Sequence, residues 1–147
     1  MSSDLILSRL RRFLLGLSAL LCVGIVFELW LTKHMENFVQ LIPFGLCGLG
    51  FLAAAVVLFY PRRAPMLSLR LCMGLVALGG IFGAYEHIEN NVGFHREIRP
   101  NAPTREIVLA SFYGPNPLLA PGILAVAAVL AMAATYHHPA LVNGKQG

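Results

Sequence analysis

The chain has 147 residues, with 57% of them hydrophobic and only 12% charged. Those shares exclude an ordinary soluble domain and indicate a membrane protein, with room for one helical bundle and no separate soluble domain. The formal charge of +4 then matters through its placement across the bilayer more than through its total. The expected partners are the lipid bilayer and other membrane subunits, and no nucleic acid.

Taken in chain order, a short polar lead carries Arg9, Arg11 and Arg12 and runs into apolar residues from Phe13. The apolar run is close to the ~20 residues that span a bilayer and no small-x-small cleavage site follows it, so it reads as a retained first span over 13–32. A polar link follows, and Pro43 opens a second span over 41–60, rich in Gly and Ala. Pro61-Arg62-Arg63-Ala64-Pro65 is a break before a third span over 67–88. A long connection over 89–116 leads to a fourth span over 117–136, which is rich in alanine. Small residues at this density let membrane helices approach closely. Within the connection, Thr104 and Gly114-Pro115 bracket an apolar-faced segment. It is expected to form a short helix in the interface, lying over the bundle mouth or serving as a surface connector.

The fold class expected is therefore all-α, a four-transmembrane-helix bundle. Arg9, Arg11, Arg12, Arg62, Arg63, Arg70 and Lys145 fall on one side with Asp4, while all six glutamates fall on the other. The positive-inside rule then places both termini in the cytoplasm of an inner or plasma membrane, with the acidic loops outside. Sliding the chain by 58 positions superposes Arg12, Gly16, Leu17, Ala19, Leu20 and Glu28 on Arg70, Gly74, Leu75, Ala77, Leu78 and Glu86. Such self-similarity suggests two tandem hairpins related by a pseudo-two-fold along the membrane normal.

The cysteines Cys22, Cys47 and Cys72 form no C-x-x-C pair, which removes zinc-ribbon and thioredoxin-type readings and leaves small packing residues. The chemistry instead gathers where the third span ends. Cys72, Val76, Gly79, Gly83, Glu86 and Asn90 share one helical face, smooth in its lower part and acidic at its top. Glu28 on the first span stands at matching height, so two carboxylates are expected near the outer mouth of the bundle. Facing one another, they need a cation or a shared proton.

Three active readings follow. Glu28 and Glu86 bind a divalent metal ion with His87, His34 or Glu89 as further ligands; they share a proton; or His87, one turn after Gly83, holds a flat macrocycle. Against these stands an anchoring role, with Trp30 and Tyr85 at the interface and Glu28 paired to Lys33, Arg96 or Arg99. Asn37, Gln40, Asn90 and Asn91 read as turn and loop-capping residues. No nucleophile constellation, phosphate loop or zinc spacing is visible. The reading preferred is a non-catalytic accessory or binding subunit of a larger membrane complex, docking through small-residue faces on the second and fourth spans. The alternative is a metal-dependent membrane enzyme, or a proton- or metal-coupled transporter, using Glu28 and Glu86.

Overall fold

The computed structural model describes residues 3–142, and all regular structure among them is helical. The helices are α1 (Ser3–Leu31), α2 (Phe38–Phe59), α3 (Arg63–Ile98), α4 (Thr104–Ser111), α5 (Leu119–Ala134) and α6 (Pro139–Val142). Among these, α1, α2 and α3 are each long and apolar enough to cross a bilayer, which marks a membrane protein. α5 is as apolar, but its 16 residues rise about 24 Å, short of the ~30 Å hydrocarbon layer.

The four apolar helices pack side by side in the order α1, α2, α3, α5, and α5 closes the ring between α3 and α1. Small residues make that closure. A Cβ added at Gly80 would meet the Pro121 carbonyl oxygen at 2.9 Å and the Ala125 nitrogen at 3.2 Å, so the backbones of α3 and α5 touch there. On α5, Ala127, Ala128, Ala131 and Ala134 are all buried. The alanine face expected to dock another subunit is therefore consumed inside this chain. Three of the six buried positions of α1 (Leu15, Ser18, Cys22) stand 58 residues before three of the six of α3 (Met73, Val76, Gly80).

Polar bonds lock the ends. Ser18 Oγ donates to the Ala127 carbonyl at 2.8 Å in the dry centre. At the end that gathers the start of α1 and the close of α5, Arg70 Nε donates to Thr135 Oγ1 (2.8 Å), and Arg11 Nη2 donates to the Tyr136 and His137 carbonyls (3.1 and 3.0 Å). Arg70 Nη2 also donates to the Thr135 carbonyl (3.2 Å), so two arginines hold the C-cap of α5 and the turn that follows it.

Helix bounds depart from the sequence expectation chiefly in α3. It continues to Ile98, ten residues past the expected stop at 88, so Glu89, Asn90, Asn91 and His95 are helical. Polar residues mark where a helix leaves hydrocarbon and do not by themselves end it. The first residue that forbids continuation is Pro100, which disfavours helical backbone at Arg99. α1 likewise begins at Ser3, ahead of the span expected from 13, and α2 begins at Phe38, so Pro43 lies inside it instead of opening it. Pro103, not Thr104, is the N-cap of α4.

Candidate functional site

At the end opposite Arg11 and Arg70, a cavity of about 320 Å³ opens between α1, α2, α3 and α5. Its apolar walls are the buried Ile25, Leu29 and Leu124, with Leu46 from α2 and the exposed Phe82 from α3. Polar groups at its lining are Glu86, His34, His87, Asn37, Gln40, Asn90 and Asn116. Apolar walls with a few convergent polar groups are the usual make-up of a small-molecule site.

The turn after α1 places His34. Lys33 adopts φ 53°, the left-handed region. Its N–H bonds the Trp30 carbonyl and the His34 N–H bonds the Leu29 carbonyl, which is the Schellman pattern of helix termination. His34 is thereby pinned over the end of α1, its ring 6.2 Å from that of His87. Burial, then the neighbouring His87, hold His34 below its ordinary pKa, with Glu36 pulling weakly the other way.

α2 starts with a reciprocal cap: Asn37 Oδ1 accepts from the Gln40 N–H (3.0 Å) and Gln40 Oε1 accepts from the Glu36 N–H (2.7 Å). Both amides therefore keep their NH2 groups for the cavity. Pro43 one turn later has no N–H to offer the Val39 carbonyl, and both residues line the cavity.

On α3, Gly79, Gly83, Glu86 and Asn90 all line the cavity, as their shared helical face implies. Gly79 sits directly beneath the end of the Leu46 side chain, which would have to move for a Cβ to fit. His87 Nδ1 donates to the Pro117 carbonyl at 2.7 Å. A carbonyl can only accept, so the proton is on Nδ1, and a neutral His87 leaves its Nε2 lone pair for a ligand. Glu86 is half-buried, and among the described residues it makes no ion pair and no side-chain hydrogen bond.

The far wall is held by Asn91, which is fully buried inside α3. Its Nδ2 donates to the carbonyls of Ser111 (2.8 Å) and Asn116 (2.9 Å), and its Oδ1 accepts from Asn116 N (2.9 Å) and Asn116 Nδ2 (3.1 Å). Gly114 packs against this side chain so closely that a Cβ there would collide with it. Asn91 is therefore a clamp between the middle of a helix and a distant loop, not the turn residue its sequence context suggests. Above it, Arg99 forms an ion pair with Glu106 of α4 at 3.0 Å and also donates to His95 Nδ1 at 3.2 Å. Arg99 is thus committed to Glu106, not to Glu28.

Of the five residues singled out from sequence, the structure brings together Glu86, His87 and His34. Glu28 lies outside the cavity, one position off the buried face that carries Leu29. Glu89 is exposed, a turn beyond Tyr85. Among the described residues no three His, Cys, Asp or Glu side chains converge as a metal-ligand set. Sequence reasoning did not reach Asn116 or the Pro117 carbonyl, which come from a loop distant in sequence. Asn37 and Gln40 were visible only as loop formers, whereas Asn90 was visible also on the helical face of Glu86.

No family model, curated protein or solved structure matches this chain. The functional reading accordingly rests on the site's own chemistry.

Proposed function

We propose that the protein is a non-catalytic membrane binding protein whose outer cavity receives a small amphipathic cation, an organic amine with an apolar body. The observation that carries this reading is Glu86. It is a carboxylate with no ion-pair partner among the described residues, at the wall of a cavity lined further in by apolar side chains. An ammonium group there gains a charge-assisted bond to Glu86 and, through a second N–H, the Nε2 lone pair of His87. The apolar body fills the space between Ile25, Leu46 and Leu124. The amide NH2 groups of Asn37 and Gln40 would select ligands that also carry an acceptor.

In this proposal α5 is the fourth span, shortened because its ends are held by Arg11, Arg70 and the loop at Asn116. Both termini are cytoplasmic, on the side with the arginine-rich ends of α1 and α3. The common burial register of α1 and α3 supports descent from a duplicated hairpin. A transporter or metal enzyme built on paired glutamates has weaker support, since Glu28 stands outside the cavity.

The test is thermal stability of the purified protein in lipid nanodiscs with benzylamine or with benzyl alcohol. Benzylamine is expected to raise the melting temperature and the alcohol is not, while Glu86→Gln abolishes the difference. Equal shifts with the two compounds, or an undiminished benzylamine effect in Glu86→Gln, would overturn the reading.

A further inference from the structure

The opposite end of the helix ring holds a second cavity, larger than the outer one at about 590 Å³. It lies between the start of α1, the end of α2, the start of α3 and the end of α5, and Arg11, Arg12, His137 and His138 line it with a single acid, Asp4. Arg11 is half-committed. Its Nη2 holds the Tyr136 and His137 carbonyls, but its Nε–H is buried with no acceptor among the described residues. A buried donor left unpaired is uncommon and calls for a partner. Arg12 makes no side-chain hydrogen bond or ion pair among the described residues. The cavity wall is not uniformly polar: Leu7 and Phe59 line it and are themselves exposed, so an apolar path leads from the arginines to the lipid.

We propose that this cavity is a phosphate site. Its ligand is a phosphate-bearing anion, either the headgroup of an anionic phospholipid with its acyl chains lying along Leu7 and Phe59, or a free phosphate. Guanidinium groups match phosphate oxygens in both charge and geometry. Basic pockets between membrane helices at the cytoplasmic face are suited to lipid headgroups. Arg11 Nε supplies a fixed donor, because Nη2 already anchors the side chain. Arg12 supplies the mobile charge, and His138 adds a ring N–H. Asp4 opposes binding. The site is separate from the Glu86 cavity and stands or falls independently of it.

Phospholipid binding is measured by native mass spectrometry of the delipidated protein, titrated with phosphatidylglycerol and with phosphatidylcholine at one ionic strength. Inorganic phosphate, against chloride, is tested in parallel by thermal shift. Phosphatidylglycerol is expected to bind more tightly than phosphatidylcholine. Arg12→Gln should weaken it about fivefold, the contribution of one basic residue near an anionic surface, and Asp4→Asn should strengthen it. Both variants leave the Arg11 bonds to the turn after α5 intact. Preference for phosphatidylglycerol assigns the site to a lipid. Stabilisation by inorganic phosphate without that preference, lost in Arg12→Gln, assigns it to the free anion. No discrimination between the two lipids together with no phosphate effect, or affinities unmoved by either substitution, overturns the proposal.

Discussion

Replacing Asn91 should damage the Glu86 end of the molecule more than any other single polar substitution. Its side chain makes four hydrogen bonds, two donated to carbonyls and two accepted from Asn116. Each such bond contributes about 0.5–1.5 kcal/mol net, and a buried group left unpaired costs about 1–3 kcal/mol. Asn116 borders the cavity and can rehydrate, whereas Ser111 is fully buried. Weighing the Asn116 bonds at the low end and the Ser111 carbonyl at the high end gives about 3 kcal/mol for Asn91→Ala. For a chain of this size that corresponds to a fall of about 10 °C in melting temperature. Circular dichroism of the protein in a mild detergent would measure it.

Asn91→Asp sharpens the prediction because shape is kept and only the donor is lost. The carboxylate would face the Ser111 and Asn116 carbonyls, so its ionised form is disfavoured in the folded state. Its folded pKa is then above the unfolded one, the folded state binds the extra proton, and stability should recover as pH falls through the carboxyl range. Both variants should also weaken amine binding, because the same loop carries Pro117, whose carbonyl orients His87. Melting temperatures of both variants matching the wild type would refute the clamp.

Other expectations follow from the same geometry. Gly80→Ala should cost about 1–3 kcal/mol by pushing α5 off α3, whereas Gly16→Ala, with open space around it, should be neutral or stabilising by up to ~1 kcal/mol; paired thermal melts separate them. Lys33→Gly should stabilise by about 0.5–1 kcal/mol, because glycine adopts the left-handed backbone at this helix end without penalty. His34 has a lowered folded pKa, so the stability it contributes is complete above its unfolded value and is lost as pH falls through the folded one. Melting temperature should therefore decline on acidification below neutrality, and His34→Gln should reduce that decline. Ser18→Ala should cost only about 0.6 kcal/mol, the average for a hydrogen bond between membrane helices, and a denaturant titration resolves whether it stays well below Asn91→Ala.

Much of the helical frame was legible because apolar runs, proline breaks and charge placement are local signals. The face Gly79, Gly83, Glu86 and Asn90 was legible for the same reason, since helical period alone aligns it. The end of α3 was not, because Glu89, Asn90 and Asn91 look alike whether a helix stops or merely emerges from lipid. Asn91 was legible only as a turn or loop-capping residue, because its partners, Ser111 and Asn116, lie 20 and 25 residues away. Glu28 and Glu86 are matched in height by equal spacing from Arg12 and Arg70, but height does not give azimuth. α1 turns Leu29 inward and leaves Glu28 off the cavity. Arg11 was visible only as a topology marker and Arg70 only as that and as a repeat position, and their grip on the C-cap and turn after α5 depends on tertiary contacts.

Crystals soaked with 4-bromobenzylamine would show whether Glu86 receives a cationic ligand in the cavity it lines. The account predicts an anomalous bromine peak between Ile25, Leu46 and Leu124, with the amine directed at Glu86, and no such peak in Glu86→Gln. A bromine signal confined to the lipid-facing surface, or one that persists unchanged in the variant, would contradict it.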